Sequence, residues 1–228
     1  MPGAELLQGG SVTKPRLLLA DDHRLVREGI RGLLEPDYEI VAEAGDGREL
    51  IQAAIKLQPD VIVADIGMPS LNGLEAVRKL RKRGIEAKIV FVTMHAGVDF
   101  AVQALRLGVL GYVLKIDASE ELGRAVKEAL AGRLYISPSI AKDVMTTLMV
   151  SPKPDSADGE PWLKLTGRER EVLQLVAEGR KMAEIGDILH ISARTVERHK
   201  YSMMDKLKLR TTASLTQYAI TRGLISPP

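Results

Sequence analysis

Short apolar runs alternate with longer amphipathic stretches through the N-terminal half of the chain. The apolar runs predict five β-strands, near residues 16–20, 39–44, 61–65, 89–93 and 111–114. Stretches with helical period follow them, for example 74–80 and 101–107. Residues 61–64 are apolar at every position, which is typical of a strand covered on both faces of a parallel sheet. The pattern therefore predicts an α/β fold with a doubly wound, five-stranded parallel sheet.

The last third of the chain has only helical periodicity. Thr166 and Glu169 have the spacing of a capping box and Gly179 is a natural stop, so a helix is predicted between them. A second helix is predicted near residues 182–189, and Ser192 is placed to cap a third. The apolar positions of this third helix are Val196, Met203, Met204 and Leu207. Two helices joined by a tight turn predict a small all-α, helix-turn-helix domain.

A segment rich in Pro, Ser, Asp and Gly, residues 151–161, predicts a linker between these two halves. We therefore expect an N-terminal domain at 15–134, a connecting region at 135–162 and a C-terminal domain at 163–228. Within the connecting region, residues 138–150 carry apolar side chains at helical spacing, which predicts an amphipathic helix. The periodicity leaves its packing partner open: either domain or a second copy of the chain would serve.

Charge separates the two halves further. Residues 163–228 hold 12 Lys and Arg against 7 Asp and Glu, whereas the rest of the 228-residue chain holds 20 against 23. A basic small domain suggests a nucleic-acid partner, although a few surplus lysines could also be ordinary solvated surface. The chain has no cysteine, which excludes disulfides, zinc–thiolate sites and a thiol nucleophile. Since neither a secretory pattern nor an apolar run of membrane-spanning length is found, we expect no membrane association and a cytoplasmic location.

Polar residues stand where the predicted strands end. They are Asp21, Asp22, Asp65, Thr93 and Lys115. Singly, each has an ordinary explanation, such as a helix cap or a solvated charge. Because ligands bind at the carboxyl ends of parallel strands, the set as a whole predicts one crevice in which carboxylates meet a cation and a lysine. That combination points to chemistry on phosphate.

These residues resemble the receiver domains of two-component response regulators, over roughly residues 16–133. The resemblance rests on the Asp21-Asp22 pair, the run 60–75 around Asp65, the strand end 92–95 and the run 111–115. It implies that Asp65 is the phosphoacceptor for a histidine kinase. It also implies that Mg²⁺ is held by Asp21, Asp22, Asp65 and the Gly67 carbonyl, that Lys115 pairs with the phosphoryl oxygens, and that Thr93 and Tyr112 form the switch.

The residues Gly67 and Met94 bear on the lifetime of the phosphate and on the choice between a receiver and a phosphatase. Gly67 leaves the acyl phosphate open to water whereas the bulkier Met94 would shield it, so the sequence predicts no phosphate lifetime. An aspartate-nucleophile phosphatase is the rival interpretation, but such enzymes usually carry a second acid two residues after the nucleophile, where Gly67 stands here. We therefore expect a protein that is not an enzyme.

Residues 163–225 resemble the LuxR-type DNA-binding domain, and the whole chain resembles the NarL/FixJ-type response regulators. Residues 165–173, Thr195-Val196 and His199 carry the resemblance, and Met182 and Gly186 depart from it. We expect Gly186 to lower helix propensity by about 1 kcal/mol. The expected DNA-binding residues are Arg194, Thr195, Glu197, Arg198, His199, Lys200 and Tyr201.

Roles within this face differ. Thr195, His199 and Lys200 are expected near the sugar-phosphate backbone, while Arg198, Glu197 and Tyr201 are the candidate base readers. Arg198 could pair with guanine and Glu197 could accept from cytosine, or Glu197 could form a salt bridge with a basic neighbour. A metal role for His199 is disfavoured because no second ligand stands at suitable spacing.

The sequence thus predicts a response regulator transcription factor that binds double-stranded DNA under the control of phosphorylation and forms a homodimer when phosphorylated. The alternative is a phosphorylation-independent DNA-binding protein whose receiver serves protein interaction. Two modes of control remain open: the receiver occludes the recognition helix, or it holds the protein monomeric.

Overall fold

The computed structural model describes residues 13–150, 161–221 and 224–225. Most of the predicted linker, 151–161, lies outside these residues, as does most of the N-terminal segment 1–14. Among the helices of the described part, none is both long enough and apolar enough to span a bilayer.

The N-terminal domain is a parallel sheet of six strands in the order β2-β1-β3-β4-β5-β6. The strands are β1 (Arg16–Ala20), β2 (Glu39–Ala44), β3 (Val61–Ala64), β4 (Lys88–Thr93), β5 (Gly111–Leu114) and β6 (Tyr135–Ile136). The five predicted strands are confirmed. The sixth is only two residues long, pairs in parallel with β5, and extends the sheet beyond the predicted edge.

Helices cover both faces of the sheet. They are α1 (Arg24–Leu34), α2 (Gly47–Leu57), α3 (Gly73–Lys82), α4 (Val98–Arg106) and α5 (Ala118–Leu130). Alternate residues of a strand face opposite sides, so Leu17 and Leu19 pack with α1 and α5 while Leu18 and Ala20 belong to the larger core that includes α2, α3 and α4. The chain therefore reverses its direction of winding at β1, and the crevice between the ends of β1 and β3 is the expected ligand site.

The connecting helix α6 (Pro138–Val150) packs against α4 of the N-terminal domain, one of the partners that its periodicity allowed. Ile140 and Val144 are its buried residues, and they belong to the larger core. Met145 and Met149, on the other side of α6, are exposed. The helix thus packs as part of the N-terminal domain.

The C-terminal domain consists of α7 (Gly167–Ala177), α8 (Met182–Leu189), α9 (Ala193–Leu207) and α10 (Thr212–Thr221). The predicted capping box is confirmed: Thr166 Oγ1 accepts from Glu169 N at 3.2 Å, and Thr166 N donates to Glu169 Oε2 at 2.7 Å. Ser192 caps α9, as predicted, by accepting from Thr195 N at 3.1 Å. The helix-turn-helix is formed by α8 and α9.

Gly186 has a packing reason that its helix propensity did not reveal. A Cβ at this position would lie 2.6 Å from the carbonyl oxygen of Ile191, in the turn between α8 and α9. The Ile191 amide also donates to the Gly186 carbonyl at 2.9 Å. The glycine therefore lets the turn approach α8 closely, which offsets its cost in helix propensity.

Candidate phosphoacceptor site and nucleic-acid interface

Three parallel strands bring the predicted carboxylates and lysine together. Asp21 follows β1, Asp65 follows β3 and Lys115 follows β5. The Lys115 Nζ lies 2.7 Å from Asp65 Oδ2 and 2.7 Å from Asp21 Oδ2, so one ammonium bridges both carboxylates. Asp21 and Asp65 are both buried. The positive charge of the lysine offsets the repulsion between the two buried carboxylates.

The loop that follows Asp65 is held tightly against it. Asp65 Oδ1 accepts from the backbone amides of Ile66 at 2.6 Å and Gly67 at 3.2 Å. A Cβ on Gly73 would lie 2.2 Å from the Asp65 carbonyl oxygen, so only glycine permits α3 to begin this close to the strand end. These contacts tie both ends of the loop 66–72 to Asp65.

Charge at the site is unbalanced toward the carboxylates. Burial raises the pKa of Asp21 in spite of its contact with Lys115, and the nearby Asp65 charge adds to this effect. Burial opposes the charge on Lys115, but Asp65 and Asp21 outweigh it and raise the pKa of the ammonium. Asp22 lies close to Asp21. With three carboxylates and one lysine in this crevice, the donor set fits a divalent cation that prefers oxygen ligands.

A neighbouring histidine joins this cluster. Ligand atoms of Asp21, Asp22 and His23 lie within 4.8 Å of one another, and His23 Nδ1 is 2.8 Å from Asp22 Oδ1. The sequence interpretation had not included His23, although its position directly after the acidic pair was the available signal. Gly67 lies next to the site, and its amide rather than its carbonyl is the group seen to contact Asp65.

The two predicted switch residues are linked through a third residue, His95. Thr93 is buried, and its Oγ1 accepts from the His95 amide at 3.2 Å. Tyr112 is fully buried, and its hydroxyl donates to the His95 carbonyl at 2.7 Å. Burial, with a smaller effect from Asp65, raises the pKa of Tyr112 far above its usual range, so the hydroxyl remains a donor. Thr93 and Tyr112 thus hold the same peptide segment.

The His95 ring lies beside Gly67, two residues after Asp65. It stacks on Phe100 with 5.1 Å between ring centroids, and burial lowers its pKa, which favours the neutral imidazole. Met94, the residue after Thr93, is 72% exposed. The side chain closest to Gly67 is that of His95.

Helix α7 forms the contact between the two domains. Gln174 is buried, and its Oε1 accepts from the Asn72 amide at 2.9 Å and from Asn72 Nδ2 at 3.1 Å. Its Nε2 donates to the Met68 carbonyl at 2.8 Å. Glu178 accepts from the Ser70 amide at 3.0 Å. All of these partners lie in the loop 66–72, so α7 is hydrogen-bonded to the segment that directly follows Asp65.

Charged pairs surround this contact. Arg170 Nε lies 2.6 Å from Glu75 Oε1, and both residues are buried. Lys79 Nζ lies 2.8 Å from Glu171 Oε1. Between the domains, a cavity of about 330 Å³ is lined by Asp22, by residues 67–69 and by residues of α10. The candidate metal site thus opens toward the C-terminal domain.

The predicted DNA-binding face lies on α9 and away from this contact. Arg194, Glu197, Arg198 and Tyr201 are exposed, whereas Thr195, His199 and Lys200 are half-buried. Lys200 Nζ donates to Thr212 Oγ1 at 2.7 Å, and Thr195 takes part in the cap at Ser192. Burial and the nearby Arg198 charge lower the pKa of His199. Among the described residues, Glu197 makes no ion pair, so the alternative of a salt bridge is not seen on this face.

Family comparisons match both domains. The response regulator receiver domain matches residues 17–127, and the luxR family of bacterial regulatory proteins matches residues 163–219. The response regulator UvrY of Escherichia coli is 32% identical over 210 residues, which cover 91% of this chain and 94% of UvrY. The oxygen regulatory protein NreC of Staphylococcus carnosus is 34% identical over 214 residues, covering 92% of this chain and 99% of NreC.

A solved structure of RcsB from Salmonella enterica serovar Typhimurium is also similar. That protein is bound to the promoter P1flhDC in the presence of the phosphomimetic BeF3-. It is 28% identical, with a TM-score of 0.62, over 92% of this chain and 100% of the RcsB chain. The two domain matches and the full-length relatives together show that this chain belongs to the NarL/FixJ-type response regulators, in which a receiver domain precedes a LuxR-type DNA-binding domain.

Proposed function

We propose that Asp65 accepts a phosphoryl group from the phosphohistidine of a histidine kinase, and that the resulting aspartyl phosphate controls DNA binding by α9. The observation that carries the proposal is the convergence of Asp65, Asp21 and Lys115 at the carboxyl ends of three strands. In the transfer step a carboxylate oxygen of Asp65 attacks the phosphorus, and the bond between phosphorus and the kinase imidazole breaks. We infer no enzymatic activity on other substrates.

Asp21, Asp22, Asp65 and the Gly67 carbonyl would hold Mg²⁺ at this site. When bound, the cation supplies positive charge that neutralises the phosphoryl oxygens. Lys115 already contacts the acceptor carboxylate, so its ammonium is in place to pair with an added phosphoryl oxygen. The Thr93 hydroxyl is the donor that turns toward the phosphoryl group, and it gives up its bond with the His95 amide in doing so.

The C-terminal domain is proposed to bind the major groove of double-stranded DNA. The exposed side of α9 supports this, because Arg198, Glu197 and Tyr201 lie on a polar surface that the receiver does not cover. Arg198 reads guanine, whereas Thr195, His199 and Lys200 lie along the sugar-phosphate backbone. We infer a cytoplasmic location for a protein with this activity.

Phosphorylation controls binding by releasing α7 from the receiver. Because the contact is made of buried polar and charged groups, opening it returns those groups to water at a modest net cost. A two-state equilibrium of this kind is biased by charge added at Asp65, since the loop 66–72 joins that residue to Gln174. Because the DNA-binding side of α9 is already exposed, phosphorylation does not need to uncover it. Instead, phosphorylation controls dimer formation, and the homodimer reads paired half-sites.

Treatment with phosphoramidate and Mg²⁺ followed by intact mass measurement tests the phosphorylation. We expect one acid-stable, base-labile phosphoryl group on the wild type and none on Asp65→Asn, because the amide is a poor nucleophile. Full modification of Asp65→Asn would assign the acceptor to another residue. A wild type that binds DNA identically before and after modification would support the alternative, phosphorylation-independent function.

A further inference from the structure

The cavity between the domains has walls from both of them. Its volume of about 330 Å³ lies within the range of roughly 300–1,000 Å³ that is usual for small-molecule sites. Asp22 and residues 67–69 form the receiver side, and residues of α7 and α10, with Leu224 and Ile225, form the other side. The space is therefore large enough for a small organic molecule, and a molecule that fills it contacts both domains.

Most of the wall is apolar. The apolar side chains that line the cavity are Met68, Pro69, Ala177, Ile220, Leu224 and Ile225. A ligand that covers these side chains removes apolar surface from water, on the ligand as well as on the protein. The wall therefore favours a ligand with a hydrocarbon body.

Glu178 is the polar residue of the wall best placed to hold such a ligand. Its Oε1 accepts from the Ser70 amide at 3.0 Å and from Gln174 Nε2 at 2.9 Å, which fixes the carboxylate. Among the described residues, no hydrogen bond uses the second oxygen, Oε2. Burial raises the pKa of this carboxyl in spite of the bonds to Oε1. A cation in the cavity would therefore stabilise the charged carboxylate and donate to its free oxygen.

The other polar side chains of the wall also accept hydrogen bonds. Thr216 Oγ1 donates to the Thr212 carbonyl at 3.2 Å within α10, so the hydroxyl proton is already used and the oxygen remains an acceptor. Asp22 adds a second carboxylate on the receiver side. No lysine or arginine is found among the described lining residues, and Arg180, which acts electrostatically on Glu178, is exposed after the end of α7. The polar groups of the cavity thus call for a ligand that brings donors and positive charge.

We propose that this cavity binds a small organic cation, an ammonium group on a hydrocarbon body. The ammonium donates to Glu178, and the hydrocarbon packs against Met68, Pro69 and Ile220. Because both domains form the walls, the bound cation favours the closed arrangement, in which α7 contacts the receiver, over the open one. Binding does not depend on the phosphorylation proposed for Asp65; only the consequence for DNA binding does.

Calorimetric titration of the full-length protein with phenethylamine and with phenethyl alcohol tests the proposal. The two molecules share a hydrocarbon body and differ in the ammonium group. Mg²⁺ and phosphodonor are left out, so Asp22 is not shared with a metal and the result is independent of Asp65. We expect the amine to bind once per chain and about tenfold more tightly than the alcohol, the effect of one hydrogen bond to a charged group. Equal affinities, or no binding of the amine, would overturn the proposal.

Variants of the wall locate the site. Glu178→Gln keeps an oxygen for the Ser70 amide but has no charge, so it should weaken amine binding about tenfold and leave alcohol binding unchanged. Thr216→Phe fills the cavity while Glu178 is retained, and it should abolish binding of both molecules. Gln217→Ala, an exposed neighbour that does not line the cavity, is the control and should match the wild type. Melting curves without ligand show that each variant folds. Unchanged amine binding by Glu178→Gln or by Thr216→Phe would place the ligand elsewhere and overturn the proposal.

A charge reversal outside the cavity tests whether both domains form the site. Lys79→Glu replaces the 2.8 Å ion pair with Glu171 by two like charges, so it favours the open arrangement, and Lys79 does not line the cavity. We expect this variant to bind the amine severalfold more weakly than the wild type, because the walls of the cavity separate when the domains do. An affinity equal to that of the wild type would contradict a site closed by both domains.

Discussion

Gln174 offers the sharpest test of the contact between the domains. Its side chain makes three hydrogen bonds to the receiver, two with Asn72 and one with the Met68 carbonyl. At a net value of about 1 kcal/mol each, Gln174→Ala should destabilise the closed arrangement by about 3 kcal/mol. Since 1.4 kcal/mol is about a factor of ten, the ratio of closed to open protein should fall roughly a hundredfold.

The absence of native cysteine makes a distance measurement direct. Cysteines introduced at Lys56 on α2 and Asp205 on α9, both exposed, accept spin labels without competing thiols. We expect one narrow distance distribution for the parent protein and a broad, longer one for Gln174→Ala. Gln217→Ala, at an exposed position of α10, is the matched control and should leave the distribution unchanged. If Gln174→Ala also leaves it unchanged, α7 does not hold the domains together and the coupling route through the loop 66–72 is wrong.

Other consequences can be tested separately. Arg198→Ala should relax base preference at one operator position by about 1–3 kcal/mol, whereas Lys200→Ala should weaken binding to all sequences and reduce the salt dependence of binding. Binding-site selection and salt titrations distinguish the two variants. An unchanged selected motif for Arg198→Ala would exclude base reading by Arg198. Asp22→Ala should weaken the Mg²⁺ dependence of phosphorylation, and a titration identical to the wild type would count against Asp22 as a ligand. Although burial opposes it, hydrogen bonds from Lys206, Ser202 and Thr166 lower the pKa of Glu169 from 4.5 to about 2. The charged Glu169 therefore stabilises the folded protein above pH 4.5, and this stabilisation is lost as pH falls toward 2. Glu169→Gln should lower the free energy of unfolding by about 2–3 kcal/mol at neutral pH and by little at pH 2. Denaturant unfolding at the two pH values measures this difference.

Periodicity predicted the elements that bury a regular face. The five longer strands and the helices α7, α8 and α9 have enough residues to show their period. The sixth strand has two residues, Tyr135 and Ile136, which is too short for any period. Its place in the sheet comes from pairing with β5, and pairing between distant segments leaves no local pattern.

The contact between the domains was hidden for a different reason. Arg170, Glu171 and Gln174 look like the solvent side of an amphipathic helix, and the sequence analysis assigned only the apolar side of α7 to a core. In the structure all three are buried against the receiver. A polar helix face that packs on another domain has the same pattern as one that faces water, so the partner surface is needed to tell them apart.

The part of the candidate site made of charged residues could be predicted, because carboxylates and a lysine at strand ends indicate their chemistry by residue type alone. Asp21, Asp65 and Lys115 were expected together, and they meet at contact distance. The sequence analysis noted His95 only as part of a strand end. Its link between Thr93 and Tyr112 depends on hydrogen bonds to its backbone. Such relations are set by tertiary packing and cannot be derived from spacing along the chain.

The most direct test of the account joins phosphorylation of Asp65 to DNA binding in a single titration. Operator DNA selected from a random library is titrated at one salt concentration with wild type and Asp65→Asn, each with and without phosphoramidate, while oligomeric state is followed by light scattering. We expect the donor to convert the wild type to a dimer with higher operator affinity, and to leave Asp65→Asn unchanged. A wild type that carries phosphate on Asp65 and yet changes in neither affinity nor oligomeric state would contradict the proposed control.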